Sequence, residues 1–153
     1  MSNVKPIPDG YHTFTPYLAV QGAVQAIEFY KKAFDATELF RMEGAPGKIA
    51  HAEMKIGNSI IMLADEHPEM DFKGPKSYGG SPCAFYLYVE DCDAVFNAAI
   101  AAGGKVIKPM QDQFYGDRSG MLEDPYGHRW SVATHKEDLT MEEVGKRAAE
   151  FMA

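Results

Sequence analysis

Apolar and polar positions follow the same order twice along the chain. Residues 14–20 read as a strand, with Pro16 marking an edge or rim position. Ala23, Ile27, Tyr30 and Phe34 then recur at helical spacing, and Lys31 and Lys32 sit near the helix C-terminus, where cations suit the dipole. Three short strands follow over residues 36–42, 49–56 and 59–64, with Gly44-Ala45-Pro46-Gly47 and Gly57-Asn58 supplying the turns. Residues 66–82 are polar and rich in Pro and Gly, and read as a linker that also has room to cover a site. The order then restarts. Residues 84–89 form a strand, and Asp91 caps a helix over 92–102 whose inner stripe is Val95, Phe96 and Ala99. Gly103-Gly104 ends that helix, and residues 105–111 form the next strand.

The chain is organised around residues 113–135, QFYGDRSGMLEDPYGHRWSVATH, which read as two strands and a tight turn. Pro125 presets the second position of the turn, and Gly127 tolerates the dihedral that closes it. After the turn Arg129, Ser131 and Ala133 fall on one side and Trp130 and Val132 on the other. The halves therefore each have the order strand, helix, strand, strand, strand: a first module over 12–65 and a second over 83–135 within one domain. A shift of 69 positions lays Val20 on Val89 and Ile27 on Phe96, and a shift of 70 lays Glu53 on Glu123. Thr140-x-x-Glu143 is a capping box that opens a final, accessory helix over 140–152.

Composition narrows the partners. A net charge of −7 without a basic cluster argues against nucleic acid. Cys83 and Cys92 are too few for a disulfide framework and read as small apolar fillers. No run is long enough to span a membrane and residues 1–14 lack an apolar signal core, so the expected location is the cytoplasm.

The stretches TPYLAV, AIEFYKKAF, HAEMKIGNSIIMLAD, LYVEDCDAVF and DQFYGDRSGMLEDPYGHRWSVATH, which together span about residues 12–135, resemble the vicinal oxygen chelate superfamily, and within it the PhnB-like, glyoxalase/bleomycin-resistance-like branch. The resemblance implies an α+β fold of two βαβββ modules whose curved mixed sheets form a cavity, with helices outside. It also implies a homodimer. Metal-binding relatives carry His or Glu on the first and last strands of each module. Those positions fall here at Thr15, Ile61, Ala84 and Ser131. None is a good ligand, so no metal and no other cofactor is expected, a divalent metal at displaced ligands being the alternative.

With strand phases set by those positions, Thr15, Tyr17 and Ala19 point into the cavity, as do Ala84, Tyr86 and Tyr88, while Leu18, Val20, Phe85, Leu87 and Val89 face the helices. Tyr17, Tyr86, Tyr88 and Tyr115, with Arg118, Arg129 and Ser131, are the candidate ligand-binding residues, suited to a small aromatic or anionic molecule. The tyrosines packing a collapsed interior is the competing reading. Arg118 either forks a carboxylate or phosphonate, or pairs with Asp117, Glu123 or Asp124 to fasten the hairpin. His51, Glu53 and Glu123 are the catalytic candidates. His51 and Glu53 share a strand face, and Glu53 with its repeat mate Glu123 would make an acid–base pair, unless they only solvate that face. His12 and His67 are expected at the surface, His128 in a turn and His135 at a strand end, with Trp130 a core anchor. The reading is a metal-independent small-molecule-binding protein; the alternatives are a metal-dependent lyase, isomerase or dioxygenase with displaced ligands, and a scaffold with a filled interior.

Overall fold

Two four-stranded mixed sheets carry the fold, one in each of two compact units that meet between Gly80 and Ser81. The computed structural model describes residues 3–153. In the first unit β1 (Tyr17–Val20) leads into α1 (Ala23–Phe34), followed by β2 (Thr37–Glu43), β3 (Ile49–Ile56) and β4 (Ser59–Asp65). The sheet order is β1-β4-β3-β2, with β1 parallel to β4 and the other pairs antiparallel. The short helix α2 (Pro75–Tyr78) lies near the end of this unit. The second unit holds β5 (Ala84–Tyr88), α3 (Cys92–Ala101), β6 (Lys105–Asp112), β7 (Asp117–Glu123), β8 (Arg129–His135) and α4 (Met141–Met152). Its order, β5-β8-β7-β6, again pairs the first and last strands in parallel.

Each sheet buries one side under its helix. Leu18 and Val20 of β1, Ala52, Met54 and Ile56 of β3, and Ile61 and Leu63 of β4 meet the apolar face of α1, where Ala23, Ala26, Ile27, Tyr30, Ala33 and Phe34 are buried. In the second unit Leu122, Trp130 and Val132 take the same place, and α3 buries Cys92, Phe96 and Ala99, with Val95 only half-buried. Cys83 is exposed and no apolar filler, because it precedes β5, in a turn where Ser81 Oγ donates to its carbonyl.

Two buried carboxylates set the ends of the sheets. Asp65, 2% exposed, accepts from the backbone N–H of Gly22 and Ala23 at the start of α1 and from Ile49 N–H at the start of β3, at 2.9, 3.1 and 2.8 Å. It serves as the cap that Gly22, left-handed at the N-cap position, does not supply. Asp124, 3% exposed, accepts from Tyr126 and His128 N–H and, through its other oxygen, from Trp130 Nε1. This carboxylate shapes the turn Asp124–Pro125–Tyr126–Gly127, closed by Gly127 N–H on the Asp124 carbonyl with Gly127 at φ +92°. His128 is buried beside the Phe85 ring and is more than a turn residue.

The segment 66–82 is ordered rather than a bare linker. A 3-10 turn at Pro68–Met70 and α2 are tied down by Glu66, which accepts from Gly74 N–H and Ser77 Oγ, each at 2.6 Å. Gly74 lies so close to β1 that a Cβ there would meet the Ala19 carbonyl at 2.5 Å. At the C-terminus the capping box forms as its sequence requires, Thr140 and Glu143 exchanging hydrogen bonds, and no side chain of α4 is fully buried.

Asp65→Ala leaves three backbone donors without their acceptor, so urea unfolding is expected to show a loss on the order of 3 kcal/mol for it and for Asp124→Ala. The exposed Glu150→Ala serves as control and stays within about 0.5 kcal/mol. A loss no greater than the control's would show that water replaces the carboxylates without cost.

Candidate functional site

The side of each sheet turned away from its helix is polar and aromatic, and the ladder register decides which residues share it. In the second unit Tyr86, Ser131 and Met121 form one cross-strand row, Tyr88, Ala133 and Ser119 the next, and Ala84, Arg129 and Glu123 a third. Because successive side chains alternate, Asp117 joins this open face, whereas Arg118 belongs to the helix side. There Arg118 grips Asp93 at the start of α3 with Nε and Nη2, at 2.8 and 2.9 Å, and Asp112 with Nη1 at 3.2 Å. The partners are thus not Asp117, Glu123 or Asp124, and the guanidinium is used in fastening α3 and β6 to β7. This pairing holds Asp93 below the usual carboxylate range and Arg118 above its own.

Asp117 is the centre of the open face. Its carboxylate, buried to 5% exposure, accepts from the Tyr88 hydroxyl at 2.8 Å and the Tyr86 hydroxyl at 3.4 Å, and contacts His135 Nδ1 at 2.8 Å. The Tyr115 hydroxyl lies 3.4 Å from that of Tyr86. Burial and then Tyr115 push the Tyr86 phenol up, and the bond to Asp117 pushes Tyr88 up, so both stay protonated donors. The tyrosines do not pack a collapsed interior: Tyr86 is 47% and Tyr88 61% exposed. Arg129 stands apart from this network. Its Nε is buried without a hydrogen-bond partner among the described residues, and Glu123 Oε2 lies 3.6 Å away, past hydrogen-bond range.

In the first unit Tyr17, Met62, Glu53 and Phe40 form one row across all four strands. Tyr17 Oη lies 3.0 Å from His51 Nδ1, and His51 Nε2 lies 3.3 Å from Glu53 Oε1. A neutral ring satisfies both by accepting from Tyr17 and donating to Glu53. The rings of His51 and Phe72 flank Tyr17 at 5.3 and 5.0 Å between centroids. The segment before β1 crosses this face and borders a solvent-open hollow of about 480 Å³ lined by Ile7, Pro8, Tyr11, His12, Thr15, Glu53 and Met62, among others. Burial and the bond to Glu53 push the Tyr11 phenol up to about 12.

The register corrects two expectations. Ile61 faces the helix, opposite Met54, and Met62 takes the open position, because β4 runs one residue out of the assumed phase. Glu53 and Glu123 are not repeat mates: in the Tyr17–Met62 row the third member is Glu53, in the Tyr86–Ser131 row it is Met121, and Glu123 pairs with Arg129 where the first unit pairs Lys55 with Ile60. Thr15, Met62, Ala84 and Ser131 offer hydroxyls and a thioether, and among the described residues no three His, Cys, Asp or Glu converge as metal donors. His135 lies between Asp117 and Asp138 but presents a different nitrogen to each, so the three point at no common centre. This donor set does not fit a divalent ion. Tyr11, Asp117 and His135 escaped sequence reasoning as members of these faces. For Asp117 and His135 the strand phase was a usable signal; for Tyr11, in an irregular segment, none was.

Bonds from Asp117 and then Asp138 hold the His135 imidazolium, raising its pKa above the ordinary value. Its contribution to stability is therefore complete below the unfolded value near about 6.5 and disappears as pH rises through the higher folded value. Imidazole 15N shifts followed against pH should give a folded pKa above that of the unfolded chain, lowered in Asp138→Asn. A value at or below the unfolded one would refute the arrangement.

The comparisons with known proteins agree with this architecture. The family model of the Glyoxalase/Bleomycin resistance protein/Dioxygenase superfamily matches residues 11–132. An uncharacterized protein of Mycobacterium bovis, Mb0911c, is 41% identical over 145 residues, 93% of this chain and 91% of that one. The crystal structure of PA1353 from Pseudomonas aeruginosa is similar at 25% identity and TM-score 0.66, with 82% of this chain and 99% of that one covered. A PhnB protein from Bacillus cereus, titled a putative 3-demethylubiquinone-9 3-methyltransferase, has the same fold at 22% identity and TM-score 0.63, over 80% and 99% of the two chains. With its paired mixed sheets and a family match over most of its length, the chain belongs to the glyoxalase/bleomycin resistance protein/dioxygenase superfamily.

Proposed function

We propose that this chain is a small-molecule-binding protein that takes an aromatic, anionic compound on the open face of its second sheet, using Tyr86, Tyr88, Tyr115, Ser131 and Arg129 and no metal. One observation carries the reading: Arg129, on a face of half-exposed tyrosines, has a buried Nε without a hydrogen bond. An anion brought to this guanidinium gains a charge-assisted, forked contact that Glu123, at 3.6 Å, does not provide. The aromatic body of the ligand lies against Tyr86 and Tyr88, whose hydroxyls are committed to Asp117 and whose rings stay open. Ser131, buried beside Tyr86 on that side of β8, puts a hydroxyl in the floor of this face. Arg118 is left out, since all its nitrogens are engaged. The protein acts as a homodimer, in keeping with the family resemblance, and sedimentation velocity measures that directly.

A second reading rests on the His51–Glu53 contact, an imidazole beside a carboxylate with Tyr17 behind it. It makes the protein a metal-dependent lyase, isomerase or dioxygenase with displaced ligands. Stoichiometric metal in untagged protein that is lost in His51→Ala would favour it over the first.

Phenylphosphonate and phenylacetate, titrated calorimetrically, test the first reading. Arg129→Gln should weaken them by at least about tenfold, the scale of one charge-assisted hydrogen bond, while the melting temperature holds. Affinity unchanged in that variant, or no heat with either compound, would overturn it.

A further inference from the structure

We infer that the hollow in the first unit binds a small organic cation, an ammonium group on an apolar body, with Glu53 as its counter-ion. Glu53 sits in the wall of a cavity of about 480 Å³, and its side chain is 24% exposed. Cavities of roughly 300–1,000 Å³ hold small ligands. No lysine or arginine among the described residues pairs with this carboxylate; its contacts are His51 at 3.3 Å and the Tyr11 hydroxyl. Neither carries a fixed positive charge, so no permanent cation among the described residues stands against this carboxylate. A carboxylate has about four lone-pair sites, and two donors leave room for more.

The rest of the lining selects the body of the ligand. Pro6, Ile7, Pro8 and Met62 are apolar and Tyr11 is aromatic, so they reward hydrocarbon or a flat ring, while His12, Thr13 and Thr15 add polar groups to the rim. An anion of the same shape meets Glu53 with like charge, and a neutral alcohol gains a hydrogen bond without the ionic contribution. The sign of the charge distinguishes this site from the open face of the second sheet, where the cationic Arg129 stands 3.6 Å from Glu123 with its Nε free of hydrogen bonds among the described residues. The inference does not depend on the anion reading, and either can fail alone.

The test uses three molecules of one shape, 2-phenylethylammonium, 2-phenylethanol and phenylacetate, titrated into the full-length protein and followed by backbone amide shifts. The ammonium compound should move amides of Tyr11, Thr15, Glu53 and Met62, the alcohol should bind at least about tenfold more weakly, and phenylacetate should leave those amides still. Glu53→Gln should weaken the ammonium compound about tenfold or more and leave the alcohol unchanged, with the alcohol serving as proof that the hollow survives. Phenylacetate binding in the hollow as tightly as the ammonium compound would overturn the inference. So would an ammonium affinity untouched in Glu53→Gln, shifts confined to amides outside the first unit, or no shift with the ammonium compound up to its solubility limit.

Discussion

A carboxylate buried at the end of the last strand of the first unit does what neither the helix nor the sheet can do for itself. Asp65 gathers backbone donors from the start of α1 and the start of β3, two places far apart in sequence. Helix N-termini leave donors unsatisfied, and burying them without an acceptor costs more than the bond itself contributes. Fixing α1 by its first turn fixes which residues of β1, β3 and β4 it can cover. Everything on the other side of the sheet is defined by exclusion. Asp124 holds the turn before β8 in the same manner, and Trp130 Nε1 ties that turn to the helix side of the second sheet.

Much of the fold could be read from the chain because periodicity reports burial directly. The helix Ala23–Phe34 and the strand Ile49–Ile56 were legible to the residue, since each pairs an unbroken apolar stripe with a turn signal at its end. The segment 66–82 was not, because its order comes from Glu66 reaching Gly74 and Ser77, contacts that leave no periodic trace. Tyr17, Tyr86, Tyr88, Arg129 and Ser131 fell on the open faces as strand phase requires. Arg118 failed on the same criterion, one residue from Asp117, and its ion pair with Asp93 depends on the placement of α3, which no local pattern encodes. In β4, whose residues 60–64 are all apolar, nothing in the sequence distinguishes Ile61 from Met62, and the phase slipped there.

The two open faces have unlike chemistry although they stem from like modules. In the second unit the buried charge of Asp117 is met by three donors, two phenols and an imidazole. In the first unit Tyr17 meets His51 instead of a carboxylate, and the negative charge sits on Glu53, deeper along the same row. The rows Tyr17–Met62–Glu53 and Tyr86–Ser131–Met121 show how the change arose: the tyrosine is common to both, and the partners across the ladder differ.

This arrangement explains how tyrosines stay half-exposed without being either core or idle surface. A phenol donating to Asp117 has its polar end fixed, which leaves the ring standing on the sheet with little rotational freedom to lose. Ordering a side chain on binding costs about 0.5–1.5 kcal/mol where it is rotamer-rich, so a face ordered beforehand binds with less loss. The charge of this face is conditional where its ordering is not. Tyr86 and Tyr88 donate to one oxygen of Asp117 and His135 meets the other, so loss of the His135 proton removes a positive charge without removing a ring or freeing a phenol. The face would then keep its shape and gain negative charge, which sets it against an anionic guest above the raised pKa of His135 through charge and not through unfolding.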